Sequence, residues 1–290
     1  MDPRFRPALI DGEQLGSRHA LHIPPTALAG VGGAQLARVP GSSIDFQDYR
    51  EYQPGDDLRR IDWSIYARTD RLTVKLFREE VNPHLDLILD GSRSMDLEGT
   101  EKIAGLLRLA GVFAMAALNA RCTHTLWLAR DGFRKLPNGS DRPSAWGGLS
   151  FDGTRSLDEE FAVAPPKLRR QGIRVLLSDL LWPGNPQLTL RRLAEGATAV
   201  YIVQLLARDD AEPPTRGNLR LLDSESGGTF DLFIDAAVEQ RYRDALNRHQ
   251  QAWHLACRQS GARLATLIAE DLGPHTSLRP LEESQMLVPA

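Results

Sequence analysis

Within the 290-residue chain, chemistry is concentrated in LDLILDGSRSMDLEGTEK, residues 85–102. An apolar run stops on Asp90, and two hydroxyls follow at alternate positions, Ser92 and Ser94, with Arg93 between them. Further on, FDGTRSLDEE (151–160) presents Thr154 after a glycine and ahead of a helix start, and the apolar run RVLLS leads into Asp179. Two carboxylates and three hydroxyls make an all-oxygen donor set. Hard divalent cations want such donors: Mg²⁺ prefers six oxygens in an octahedron, keeps several waters and leaves room for a partner's oxygen. Mn²⁺ and Ca²⁺ satisfy the same chemistry. Each piece also has a plainer reading. Asp-Gly-Ser is a common turn, and a hydroxyl capping a helix start explains Thr154 equally well, as an N-cap explains Asp179. Their order, each on a strand-end loop, favours the metal.

The elements that must position these residues are legible in the hydrophobic pattern. LDLILD (85–90), HTLWLA (124–129), IRVLLSDL (173–180), AVYIVQLL (199–206) and RLATLIA (263–269) read as strands. EKIAGLLRLAGVFAMAALNA (101–120) repeats its apolar residues at three- and four-residue spacing and reads as a helix. LTLRRLAEG (188–196) and residues 236–260 read as helices closed by Gly196 and Gly261. DGFRKL (131–136) is a turn into an edge hairpin, and NLRLLD (218–223) with GTFDLFID (228–235) make a second hairpin. Repeated β–α alternation with strands apolar on both faces means an α/β fold whose mostly parallel sheet is covered by helices. In such sheets ligands bind at the carboxyl ends of the strands, where Asp90 and Asp179 fall. Residues 1–40, rich in Gly and Pro, are expected to form a surface arm of short helices and loops. Residues 271–290 are expected to be a loosely held tail.

DGSRS, DGTRS and LLSDL together resemble the metal-ion-dependent adhesion site of von Willebrand factor A-type domains, over about residues 84–270. The resemblance implies a Rossmann-like three-layer sandwich. It implies that Ser92, Ser94 and Thr154 ligate Mg²⁺ directly or nearly so, that Asp90 and Asp179 act largely through coordinated waters, and that a partner's carboxylate completes the shell. One departure is Asp152-Gly153-Thr154, where that family frequently has Gly-Gly-Thr.

A second resemblance lies upstream. GSSIDFQDYREYQPGDDLRRIDWSIYARTDRLTVKLFREE (41–80) is similar to the signature of the domain-of-unknown-function family number fifty-eight, which joins such a segment to a von Willebrand A-like domain. It implies a soluble member that serves a MoxR-type AAA+ ATPase as adaptor or co-chaperone. Physically, Pro54-Gly55 supplies a turn, and Asp56 or Asp57 can cap a short helix over LRRIDW. Ile61 and Trp63 offer an apolar face, while Arg59, Arg60 and Asp62 can pair with Asp45, Asp48 or Arg50. The belt, residues 41–83, reads as a salt-bridged clasp packed on the sheet domain. Arg59, Asp62 and Trp63 are its candidate partner-binding residues.

Composition bounds the rest. A net charge of -3, with arginines interleaved among carboxylates, gives no global field toward nucleic acid or anionic membrane. Cys122 and Cys257 form no CxxC pair and read as buried thiols of a reducing compartment. MDPRFRPALIDGEQ has no apolar signal core, and LLRLAGVFAMAALNA carries Arg108 and is short for a bilayer, so a cytoplasmic protein without a membrane span is expected. AGVGGAQ lacks the GK[ST] of a P-loop, and no HExxH, GxSxG or SxxK pattern is present. Trp127, Trp146, Trp182 and Trp253 read as core or interface aromatics. A non-enzymatic, metal-dependent protein-binding module is the expected function, any ATP hydrolysis belonging to the partner. A phosphohydrolase of haloacid-dehalogenase type is the alternative, but it needs a second acid where Ser92 stands. A structural scaffold with a degenerate site is the third reading.

Overall fold

The computed structural model describes residues 3–24, 44–79, 83–212, 216–223 and 228–290. Two compact units are present, one holding residues 1–24 and 83–290, the other residues 25–82. The larger unit begins with α1 (Arg6–Gly16) and β1 (His19–Leu21), and the smaller contains β2 (Ile44–Glu51), α2 (Trp63–Thr69) and β3 (Thr73–Glu79). The larger resumes with β4 (His84–Asp90), α3 (Lys102–Asn119), β5 (Thr123–Ala129), β6 (Phe133–Lys135), α4 (Leu157–Val163), β7 (Ile173–Ser178), α5 (Pro186–Ala194) and β8 (Ala199–Leu206). Then come α6 (Arg208–Ala211), β9 (Gly217–Leu222), β10 (Thr229–Ile234), α7 (Ala236–Ser260), β11 (Arg263–Ile268), α8 (Arg279–Glu283) and β12 (Leu287–Pro289).

Six strands form the central sheet in the order β11-β8-β7-β4-β5-β6, all parallel except the short edge strand β6. Alternate residues of each strand serve opposite faces. Leu85, Leu87, Leu89, Val175, Leu177, Val203 and Leu205 pack beneath α1 and α3. Ile88, Leu176, Val200 and Ile202 pack with Phe161 of α4, Leu190 and Leu193 of α5, and Trp253 of α7. This two-sided burial makes the strands read as unbroken apolar runs. From β4 the chain first goes outward to β5 and β6, then returns on the other side through β7, β8 and β11. The order therefore reverses between β4 and β7, and the crevice at their carboxyl ends is the place for a ligand.

Both chain ends differ from the sequence reading. Residues 6–16 are not a surface arm. They form a helix whose Ala8, Leu9 and Leu15 are buried in the main core, fixed by an Arg108–Asp11 ion pair at 3.1 Å. Small residues allow the approach: a Cβ on Gly12 would stand 2.3 Å from the Arg108 carbonyl oxygen. Nor is the tail loose, because Leu278, Leu281, Met286 and Leu287 are buried and β12 pairs with β1. The stretch read as too short for a bilayer, α3, is long and apolar enough to cross a membrane, but most of it is buried in this core.

In the smaller unit β2 and β3 pair antiparallel with a shift between Phe46 and Asp48. The expected helix over LRRIDW is split. Asp57 caps a single 3-10 turn, Leu58–Arg60, and Asp62 caps α2 by accepting from the Ser64 and Ile65 N–H groups. Asp56 holds the Pro54-Gly55 turn instead, taking the Gln53 N–H at 2.9 Å and pairing with Arg50 at 2.8 Å.

Candidate functional site

Asp90 ends β4 inside the core, and both its oxygens are engaged. Oδ1 accepts the Ser92 N–H at 3.0 Å, and Oδ2 accepts the Ser178 hydroxyl at 2.5 Å, tying β4 to β7. A 3-10 turn over Arg93–Asp96, anchored by fully buried Met95, turns Arg93 outward. The Ser92 and Ser94 hydroxyls meet at 2.9 Å, as the alternate spacing requires if both face inward.

The threonine loop is joined to this turn through its backbone. Arg93 N–H donates to the Gly153 carbonyl at 2.8 Å, and Gly153 N–H donates to the Gly91 carbonyl at 3.0 Å. A Cβ at position 153 would lie 2.8 Å from the Gly91 oxygen, so glycine is what permits the approach. Thr154 follows directly. It is not the helix cap: Ser156 is, in a reciprocal capping box with Glu159. The Thr154 side chain is exposed, with no hydrogen-bond partner among the described residues. Asp152, the residue that departs from the Gly-Gly-Thr pattern, is held aside by Arg130, which also bonds Ser150.

Asp179 follows β7. Its Oδ1 accepts the Leu181 N–H at 3.1 Å, so it organises its own turn rather than capping a helix. Leu180, fully buried, is held at φ 59, a conformation that costs a bulky residue on the order of 1–3 kcal/mol and is met chiefly at functional turns. The other oxygen of Asp179 meets a residue that the sequence reading missed. Lys102 Nζ lies 2.7 Å from Asp179 Oδ2 and 3.1 Å from Asp210 Oδ2, with the side chain 1% exposed. The signal was a lone cation in the first turn of an apolar helix. Ser178 and Asp210 were missed as well, because only the three-dimensional arrangement brings them in.

The electrostatics follow from burial. Burial pushes the Asp90 pKa up, the nearby Asp179 charge adds to this, and the hydrogen bonds from Ser178 and Ser92 oppose it. For Lys102, burial works against its charge, but Asp179 and Asp210 outweigh burial and the pKa is raised. Asp179 and Asp210 share one internal cation, Lys102, and Asp90 lies close enough to Asp179 to feel its charge. Among the described residues no three His, Cys, Asp or Glu side chains converge as a metal cluster. A divalent ion here would depend on the serine and threonine hydroxyls. The donor set fits one: its oxygens are hard, the Thr154 hydroxyl is uncommitted, and the carboxylates exceed the cations.

In the belt, Asp62 is committed internally, bonded to Lys75 at 3.0 Å and to the Tyr49 hydroxyl at 3.3 Å, and the Lys75 bond leads in lowering its pKa. The expected pairing with Arg50 does not occur, and the side chains of Asp45 and Asp48 lie outside the described residues. Ile61 is buried, whereas Trp63 is 61% exposed with its ring edge-on to Tyr66, so the two do not share one apolar face. Arg59 is exposed. The four tryptophans assigned to the core are buried, and Cys122 and Cys257 are free and buried, burial pushing their thiols up to about 11 and about 12.

An uncharacterized protein of Mycobacterium tuberculosis (strain H37Rv) is 30% identical over 251 residues, which is 81% of this chain and 78% of that one. A Mycobacterium bovis protein, also described as uncharacterized, matches to the same extent. Among solved structures, the conserved hypothetical protein BatB of Bacteroides thetaiotaomicron aligns with 70% of this chain and 96% of its own, at 14% identity and a TM-score of 0.35. An aerotolerance-related membrane protein of Bacteroides fragilis aligns with 62% of this chain and 98% of its own, at 14% identity and a TM-score of 0.31. The family model described as "Protein of unknown function DUF58" matches residues 48–145 and 153–252, well over half of the chain, and the chain belongs to that family.

Proposed function

We propose that this chain is a non-enzymatic protein-binding module of von Willebrand factor A type, whose partner contact depends on a divalent cation. Mg²⁺ is the preferred ion, with Mn²⁺ or Ca²⁺ as substitutes. Its partner is a protein offering a carboxylate: a MoxR-type AAA+ ATPase that the chain serves as adaptor, or that ATPase's client. The observation that carries this reading is the pair of backbone bonds between the Ser92 turn and Gly153. They hold the backbone of the threonine loop against the turn in which the Ser92 and Ser94 hydroxyls face each other, next to buried Asp90, which supports Thr154 as a third hydroxyl of the set. A bound cation supplies an electrophilic centre for an anionic oxygen.

The residues of the chain then have distinct tasks. Ser92, Ser94 and Thr154 supply neutral oxygens. Asp90, fixed by Ser178, supplies charge from within, and Asp179 supplies less, because Lys102 already shares it. Hydroxyls leave the ion's charge largely unquenched, which suits capture of a partner's Asp or Glu. Free buried thiols fit a reducing, cytoplasmic setting. The phosphohydrolase reading has less behind it. A nucleophilic Asp90 would have to be accessible, yet it is buried with both oxygens hydrogen bonded, and Ser92 stands where that chemistry needs a second acid.

Calorimetric titration of Mg²⁺ and Mn²⁺ into the wild type and into the Ser92→Ala/Ser94→Ala double variant tests the site. Saturable binding that disappears in the variant is the expected result. Undiminished binding in the variant would remove these hydroxyls from the ligand set.

A further inference from the structure

A second site lies at the other end of the same strand. Arg174 is the second residue of β7, whereas Asp179 follows its last, so the two stand about 16 Å apart along the strand direction. Around Arg174 opens a cleft of about 410 Å³, between the connection leading out of α4 and the end of α5. That volume suits a small ligand. Lys167, Arg170, Arg174 and Arg192 line it, over an apolar wall that includes Phe161.

Four cations line the cleft against one carboxylate, Glu195. Among the described residues none of these four cations forms an ion pair with a carboxylate. Arg174 is 3% exposed; its Nη1 caps the end of α5 through the Leu193 and Arg192 carbonyls, but its Nε has no partner. Burial pushes its pKa down, with Asp86 and Glu195 opposing. Asp86 sits in register with Arg174 on β4, but its oxygens are taken by the Trp127 indole N–H at 2.9 Å and the Arg169 N–H at 2.8 Å. Glu195, at the rim, is the one acidic residue of the lining. Arg192 is held over the Phe161 ring at 5.4 Å and donates to the Asp158 carbonyl, so its guanidinium is a fixed plane.

We propose that this cleft binds a phosphorylated small molecule. Guanidinium forks match the paired oxygens of phosphate, and an ammonium adds a point charge beside them. The apolar wall would take the ligand's ring or carbon skeleton. An acidic peptide would need cations spread along a track, whereas here they converge on one concavity.

The test is calorimetric titration of the full chain with inorganic phosphate, AMP and ATP, each in EDTA, so that the proposed cation site makes no contribution. Saturable binding is expected, with both nucleotides tighter than inorganic phosphate. Lys167 and Arg170 are both exposed. The Lys167→Ala/Arg170→Ala variant should therefore keep its melting temperature and lose about tenfold or more in affinity, as expected for charge-assisted hydrogen bonds. Absence of saturable binding by all three probes would overturn the proposal, as would equal binding by the double variant. Capture by phosphatidylglycerol vesicles or by a Glu-rich peptide, without a response to the soluble phosphates, would overturn it in favour of a docking surface.

Discussion

Lys102 Nζ bridges Asp179 Oδ2 and Asp210 Oδ2, at 2.7 and 3.1 Å, from the first turn of α3 and out of reach of solvent. The ammonium thus occupies one side of the proposed cation site and links it to α6. Removing one member of a buried ion pair costs about 3–5 kcal/mol, chiefly because the remaining charge has no partner. Lys102→Met should lower thermal stability by that order. It should also leave Asp179 and Asp210 free to attract a divalent ion. Mg²⁺ should therefore raise the melting temperature of the variant more than that of the wild type, since a ligand at a hundred times its Kd contributes about 2.7 kcal/mol. A variant whose melting point ignores Mg²⁺ would separate Lys102 from the metal.

Gly153 offers a test that leaves every proposed ligand in place. A methyl group there would sit 2.8 Å from the Gly91 oxygen and force the threonine loop away from the Ser92 turn. Overpacking of this kind costs about 1–3 kcal/mol. Gly153→Ala should stay folded, by circular dichroism, yet bind Mg²⁺ far more weakly in a calorimeter. Unchanged affinity would mean that Thr154 contributes nothing.

The sequence was informative where burial is periodic. β8 and α7 coincide with the apolar runs read as Ala199–Leu206 and residues 236–260, because a two-sided strand and a glycine-ended helix carry their signals locally. The carboxyl-end placement of Asp90 and Asp179 was legible for the same reason. α1 was not, since RPALIDGEQLG mixes apolar and polar residues and is stabilised by distant partners, above all α3 across the Gly12 contact. The carboxyl-terminal segment gave no signal either, because its apolar residues are buried by a partner strand at the other end of the chain. Lys102 and Asp210, 108 positions apart, meet only in the folded chain.

A histidine should shape the acid limb of stability. His124 on β5 is buried beside Trp146, and its Nε2 has no partner among the described residues. Burial lowers its pKa from 6.5; Asp141 opposes this, and the neighbouring His84 adds to it. The folded chain therefore resists a proton that the unfolded chain accepts. Stability is fully present above about pH 6.5 and is lost as the pH falls toward the folded value. His124→Leu should flatten the melting temperature as the pH falls below about 6.5. An unchanged slope would assign the limb to His22, whose pKa is lowered by burial and by Arg263.

The most consequential outcome concerns the partner. If Asp90 is ionised beside a bound cation, and Lys102 continues to hold Asp179, the two negative charges near the ion are already partly spent. Three hydroxyls add almost no charge. The ion therefore remains electrophilic, and the free energy of exchanging one of its waters for a carboxylate is gained only when the partner arrives. Pull-down of the cognate ATPase or client should weaken on chelation and in Asp90→Ala, and changing one exposed Asp or Glu on the partner should reproduce the loss. Asp179→Ala should weaken it less than Asp90→Ala, because Lys102 keeps Asp210 as a counter-charge. Equal recovery of the partner in EDTA and in Mg²⁺ would exclude the cation from this contact. The exposed Trp63 and Arg59 would then be the surface to test. Being exposed, they should tolerate Trp63→Ala and Arg59→Ala within about 0.5 kcal/mol of wild-type stability, so that any loss of partner reports binding rather than unfolding.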